Sequence, residues 1–260
     1  MSLTISDFSL LMLVFFIVAT LYSSVGFGGG SSYLAILALI FTGFFVIRST
    51  ALVCNLVVVT SSCYLFLKKG HLNLKRFLPF LLTSIPMAFL GAIFRLGESI
   101  FFILLGTTLI FSSLALILQT RKLKTNYKSL KYPKYLPYFI GAFIGLLSGL
   151  VGIGGGIFLA PILNQLKWDK PIVIAALASV FILSNSIAGI TGLIISGTFE
   201  VFWPEIIGLL IAVLAGGQIG VRLSLNKISA KGIRLLTAFL VLFVGVRVLL
   251  NNGLQINLFS

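Results

Sequence analysis

The stretch YSSVGFGGGSSY, residues 22–33, sets four glycines in five positions between two apolar runs. Three structures fit such a cluster: a phosphate-gripping loop, a close-packing helix surface, or a break inside a membrane helix. The surrounding composition narrows them. The chain has 260 residues, of which 59% are hydrophobic and 9% charged, and its mean hydropathy is +1.17. A soluble domain carries about 25% charged residues. Phe8–Val25, Leu52–Leu67, Phe101–Leu118, Ile172–Ile195 and Ile206–Val221 are nearly free of charge. At about 20 residues per crossing they read as transmembrane helices. The chain is therefore expected to be an all-α integral membrane protein. The phosphate-loop alternative fails for want of a GK[ST] sequence and of a soluble strand before the glycines.

The formal charge of +14 sits mostly in short connectors. There it reads as positive-inside anchoring and contact with anionic lipid, not as a nucleic-acid surface. The N-terminal segment lacks the basic n-region of a cleavable signal and its apolar part is too long for one. Cys54 and Cys63, nine residues apart in one helix, point to opposite faces about 13 Å apart along the axis. They are expected to be packing residues, neither a disulfide nor a metal pair.

The glycine cluster has a twin. SVGFGGG at 24–30 recurs as LVGIGGG at 150–156, a register of 126. Ser49 and Asn55 recur as Ser179 and Asn185 at 130, and Gly70 and Arg95 as Gly197 and Arg222 at 127. The chain divides into a repeat at 1–120, a basic linker at 121–134 and a second repeat at 135–260. In the first half the apolar pieces run about 6–25, 31–45, 49–67, 77–95 and 99–118. In the second they run about 136–151, 157–166, 172–196, 203–222 and 233–250. The pieces after the glycines reach about 22 Å and about 15 Å, short of about 30 Å of hydrocarbon. A hairpin dipping into the membrane with a broken turn at depth answers that shortfall.

Charge then sets the sides. The linker (Arg121, Lys122, Lys124, Lys128, Lys131, Lys134) is placed in the cytoplasm, with 68–76, 167–171 and 223–234 on the same side. Residues 44–49, 96–98 and 197–202 fall outside, as do both termini. Equivalent loops land on opposite sides, which makes the halves an inverted repeat, an architecture of secondary transporters. Treating each hairpin as one crossing gives eight segments and parallel repeats, but it puts Lys167 and Lys170 outside. The expected range is eight to ten membrane segments, with ten ranked first.

A helix breaks in lipid only where its freed amides find protein, water or ligand. Each short helix after the glycines would begin with unpaired N–H groups and a positive dipole end. Two such ends, at Gly29–Ser32 and Gly155–Phe158, would form a midplane anion seat. The candidate substrate-binding residues are Gly28, Gly29, Gly30, Ser31, Ser32, Tyr33 and Asn55 in the first half. In the second they are Gly154, Gly155, Gly156, Ile157, Ser179 and Asn185, with Ser184 and Ser186 nearby. The hydroxyls of Ser31, Ser32 and Tyr33 face apolar Ile157, Phe158 and Leu159 in the twin, so the seat would be lopsided. For a glycine cluster taken alone, close helix packing is the simpler explanation. Duplication ahead of two undersized helices favours the seat.

These residues resemble the sulfite exporter TauE/SafE family of membrane permeases, through VGFGGG at 25–30, VGIGGGIFLAPIL at 151–163 and the two-half layout. The family's proline after the glycines is matched by Pro161, while Ala35 stands at that place in the first half. The resemblance implies movement of sulfur-containing anions, such as sulfite or organosulfonates, across a bacterial inner membrane. No cofactor and no metal are expected. The five acidic residues, Asp7, Glu98, Asp169, Glu200 and Glu205, all lie near segment ends, and the sole histidine, His71, lies in a basic loop. A carboxylate proton relay is thereby disfavoured, and a membrane-embedded enzyme, a remote alternative, has almost no residues to build on. An anion channel on the same fold stays open beside an alternating-access carrier. Arg48, Arg95 and Arg222 near segment ends are either vestibule cations or snorkelling anchors.

Overall fold

In the computed structural model, residues 5–24, 27–41, 43–71, 73–121, 132–201, 203, 205–224 and 230–254 are described. The termini, Val25 and Gly26 of the first cluster, linker residues 122–131 and loop residues 225–229 with Lys227 lie outside them. So do the side chains of Arg121, Lys231 and Arg234.

The described residues form ten α-helices and a final π-helical turn. They are α1 (Ile5–Ser24), α2 (Gly30–Ile40), α3 (Phe44–Lys68), α4 (Leu74–Ile93) and α5 (Glu98–Arg121). The second set is α6 (Leu136–Val151), α7 (Gly156–Gln165), α8 (Pro171–Ile195), α9 (Glu205–Ser224) and α10 (Ala230–Arg247), with the π turn over Val248–Gly253. Six helices, α1, α3, α4, α5, α8 and α9, are long and apolar enough to cross a membrane. The ends follow ordinary chemistry. Asn73 accepts from the Arg76 N–H ahead of α4, and Pro171 opens α8 where a missing N–H is harmless. Asp7, Glu98 and Glu205 sit in the first turns of their helices, at the positive dipole ends.

Two expectations about length change. The first short piece is α2, 11 residues or about 16 Å, shorter than the apolar run suggested. Helix α3 begins at Phe44 rather than at 49, so Arg48 lies inside its first turns and is 2% exposed. Arg48 is thus no snorkelling anchor. Its guanidinium donates to the carbonyls of Gly91 (3.3 Å) and Gly149, near the C-terminal ends of α4 and α6. Arg95 and Arg222 are exposed, and Arg95 donates to the Ser196 carbonyl.

At the centre α3 packs on α8. Around that pair, α4 lies on α6 and α8, while α9 lies on α1 and α3. Helix α2 lies on α3 and α10, α7 on α8 and α5, and α5 on α10. Exchanging α1–α5 with α6–α10 reproduces this set of pairings. Neighbours fix direction. Leu52 meets Gly189 and Asn55 meets Ser186, so α3 and α8 run antiparallel. Gly106 meets Leu249 and Leu109 meets Gly245, so α5 runs antiparallel to the chain from α10 through the π turn.

The α4–α6 and α1–α9 seams run parallel and are built on small residues four apart. A Cβ on Gly141, Gly145 or Gly149 would lie 2.4, 2.5 or 2.1 Å from the carbonyls of Phe80, Ser84 or Ala88. On α9, Gly216 and Gly220 meet the carbonyls of Phe16 and Thr20 at 2.3 and 2.2 Å in the same way. Such backbone-to-backbone approach is how helices associate in lipid, where no hydrophobic force drives them together. Gly145→Leu is therefore expected to lower the yield of monodisperse protein in size-exclusion chromatography at least tenfold. Gly97→Leu, in open space, is expected to match wild type.

The loops gather at two ends. Arg76 pairs with Asp169, Tyr132 donates to the Leu166 carbonyl, and Trp168 stacks on Tyr132. At the other end, the Glu200 N–H donates to Ser49 Oγ (3.2 Å), and Arg95 reaches Ser196.

Candidate functional site

Both glycine clusters cap a short helix with a residue in the left-handed region. Gly29 (φ +84°) precedes α2, Gly155 (φ +80°) precedes α7, and neither cap makes a side-chain hydrogen bond to its helix. Only glycine takes this conformation without strain. The amides of Ser32 and Tyr33 both turn back to the Gly29 carbonyl, at 3.0 Å, and those of Phe158 and Leu159 to the Gly155 carbonyl, at 3.1 Å. Of the amides expected at the seat, Ser32 and Phe158 are thus already bonded. The N–H groups left to a ligand by each helix are those of Gly30 and Ser31, and of Gly156 and Ile157.

The two ends border one small cavity. Tyr22, Phe27, Gly28, Gly29, Gly30, Ser31 and Asn55 line it from the first half, and Ile153, Ile157 and Ile182 from the second. The space among them is about 180 Å³ and admits the centre of little more than one water-sized molecule. Asn55 stands between the clusters, 1% exposed and near the middle of α3. Its Nδ2 donates to the Ile153 carbonyl (3.2 Å) and to Ser186 Oγ (3.3 Å). A Cβ on Gly28 would lie 1.9 Å from Asn55 Oδ1. One on Gly154 (φ +80°) would lie 2.4 Å from Asn55 Nδ2 and 2.8 Å from Ile182. The glycines are small so that this amide can reach both loops.

Of the expected site residues, Gly28, Gly29, Gly30, Ser31, Asn55 and Ile157 meet at the cavity. Gly154 touches it through Asn55. Ser32 is one layer back, its Oγ 2.6 Å from Tyr22 Oη, which also stands 3.5 Å from Ser31 Oγ. Tyr33 turns away: it stacks on Phe15 (4.7 Å) and covers Gly29 with its ring. Gly155 and Gly156 pack on Phe181 and Ile182. Ser179 donates to the Ala175 carbonyl in its own helix.

Asn185 is not the counterpart of Asn55. Helices α3 and α8 are both 25 residues long, and the turns that close them, at Lys69–His71 and Ser196–Thr198, repeat hydrogen bond for hydrogen bond at 127. At that register Asn55 corresponds to Ile182 and Asn185 to Val58. Gly28 meets Asn55 and Val59 where Gly154 meets Ile182 and Ser186, which is the same pairing. The 130-residue match of Ser–Asn pairs is thus a coincidence of composition. Tyr22 and Ile182 were not foreseen at the site. Tyr22 opens the quoted stretch, so its tie to the serines was within reach of the sequence. Ile182 carries no polar signal.

Ten helices, most of them apolar enough for lipid, with two capped half-helices meeting over a polar cavity at mid-bundle, define a membrane permease. The chain matches the sulfite exporter TauE/SafE family over residues 11–248 and belongs to it. It is 33% identical to a probable membrane transporter protein of Sinorhizobium fredii, over 92% of this chain and 97% of that one. It is 26% identical to another probable membrane transporter protein, from Methanocaldococcus jannaschii, over 93% of this chain and 95% of the relative. No solved structure matches. The chain is a multi-pass transporter and not an enzyme.

Proposed function

We propose that the chain is a secondary carrier that moves a small sulfur-containing anion, sulfite or an organosulfonate, across an inner membrane by alternating access. The observation that carries this reading is that the glycine N-terminus of α2 and the first turn of α7, at Ile157, border one cavity beside Asn55. Helix N-termini favour anions through unpaired N–H groups and the dipole. No cation lines the cavity among the described residues, so an anion would be held without being trapped. The sulfur chemistry rests on the family.

An inverted repeat is supported by direction. A two-fold axis in the membrane plane makes equivalent helices antiparallel, and the equivalent pairs α3 with α8 and α5 with α10 are so related. The Arg76–Asp169 pair gathers the two basic loops at one end, as ten segments require and eight do not. On the positive-inside rule that end is cytoplasmic and the termini lie outside.

The cavity is too small for a sulfur oxyanion as it stands, so the clusters must part to admit one. Gly30→Leu and Gly156→Leu would be blunt tests, because their Cβ atoms would meet the Ile153 carbonyl at 2.9 Å and Ile182 at 2.3 Å. Asn55→Leu is the sharper one. Purified wild type is expected to be thermally stabilised by one of sulfite, thiosulfate, sulfoacetate, sulfate or chloride, and to carry it into proteoliposomes with saturation and counterflow. Asn55→Leu is expected to lose that stabilisation and at least 90% of the flux while its ligand-free melting point moves only a few degrees. Unchanged anion response in that variant would refute the seat, and flux without counterflow would make the protein a channel.

A further inference from the structure

A second, larger cavity lies about 10 Å from the Asn55 seat, at the end where the basic loops gather. Asn55 and Ser62 are seven residues apart on α3, and Lys69, the residue that closes the helix, is seven further on. Two turns of helix return to nearly the same face, so these residues form one stripe that descends about 10 Å per step. Ser62 and Lys69 line the second cavity with Ser23 and His71, and Leu65, Phe66, Ile172 and Val221 complete its walls. It spans about 390 Å³ including its open mouth, against about 180 Å³ at Asn55. The hydroxyls of Ser23 and Ser62 are 2% and 1% exposed by residue and have no partner among the described residues. A buried hydroxyl without a partner costs about 1–3 kcal/mol. Both residues line one apolar-walled space that opens on Lys69 and His71, and their buried hydroxyls are left unpaired by the fold.

The other end of the molecule makes the contrast. At the 127 register Ser62, Lys69 and His71 correspond to Gly189, Ser196 and Thr198, and at 126 Ser23 corresponds to Gly149. There these positions have protein partners. Leu52 packs on Gly189, Ser196 Oγ bonds Thr198 Oγ1 at 2.7 Å, and Arg48 occupies the Gly149 carbonyl. The same fold positions therefore have protein partners at one end and two unpaired hydroxyls at the other.

We infer that the cavity of Ser23, Ser62, Lys69 and His71 is an inner waiting site, in which a small oxyanion rests on the two hydroxyls between solvent and the Asn55 seat. The inference rests on the reading of the chain as an anion carrier. Neutral hydroxyls at depth and the Lys69 ammonium at the mouth suit a site that must load and release.

The test uses the full chain in sealed phosphatidylcholine vesicles of known orientation, with whichever anion of the panel above wild type carries. Ser23→Ala/Ser62→Ala is expected to raise the KM measured from the Lys69 face at least fivefold and to leave the KM from the opposite face within twofold. Ser62→Thr, which keeps the hydroxyl, is expected to stay within twofold on both faces. Unchanged KM values on both faces would mean that the cavity holds only water, and equal rises on both would move the effect to the Asn55 seat. Either result overturns the waiting site while leaving the carrier standing. An effect seen only when phosphatidylglycerol is added would assign the hydroxyls to a lipid headgroup and overturn it too. If wild type carries no anion of the panel, the carrier reading itself fails.

Discussion

Gly154→Ala protein is expected to show no measurable anion flux and to melt well below wild type, with Gly70→Ala as its control. Both glycines hold positive φ, +80° and +69°. An alanine forced into the left-handed region costs about 1–2 kcal/mol. At Gly70 that is the whole cost, because nothing lies within 4 Å of the added carbon. At Gly154 the same carbon would stand 2.4 Å from Asn55 Nδ2, 2.8 Å from Ile182 and 3.1 Å from Ser186 Oγ. Three groups on two helices must give way, and they are the groups that join α3 to α8 across the cavity. The change in unfolding free energy should exceed that of Gly70→Ala at least threefold, and flux should fall with it while Gly70→Ala retains at least half. Equal melting points for the two variants would show that Asn55 is not held against the second glycine loop, and the proposed seat would lose its central residue.

That comparison also marks how far the sequence could be read. The duplicated glycines, the undersized helices behind them and the order of ten helices follow from apolar length and from residues that permit positive φ, both of which are local properties. The polar partners do not follow in this way. Asn55 and Asn185 share a residue type and a neighbouring serine pattern at 130, yet the hydrogen-bonded helix ends and the glycine contacts show that Asn55 corresponds to Ile182 at 127. Tyr33 has the chemistry of a ligand but spends its ring on Phe15 and Gly29. The glycines spaced by four on α6 and α9 are, in sequence, small residues and no more. Their role as seams depended on which helix lay opposite, and that is a matter of tertiary packing.

Arg48 is the clearest case, and it carries the second large effect. In sequence a lone arginine near the edge of an apolar run marks the membrane surface, because a snorkelling guanidinium reaches water. Here the helix begins four residues earlier and the guanidinium is buried. It is shared between two carbonyls near the C-terminal ends of α4 and α6, where helix dipoles supply negative potential. No carboxylate pairs with it among the described residues, so its charge is balanced by backbone alone. The sign of each substitution follows from this. Arg48→Met relieves the desolvated charge and leaves two carbonyls without their shared donor. The two terms oppose each other, so stability should shift by no more than about 2 kcal/mol. Arg48→Glu sets a carboxylate against the same carbonyls and dipole ends with nothing to neutralise it, a cost of several kcal/mol. The expected result is near-normal yield for the methionine variant and almost no folded protein for the glutamate variant, read by size-exclusion profile and melting curve in detergent. In the methionine variant the ends of α4 and α6 keep their glycine seam but lose the guanidinium that bridges their carbonyls. A cysteine placed at Gly152, whose Cβ would touch the Arg48 side chain at 2.6 Å, should then react faster with a water-soluble thiol reagent than the same cysteine in the presence of Arg48. A glutamate variant that folds and melts like wild type would mean that the guanidinium stands in water, and that the seal at this end of the bundle is made by something else.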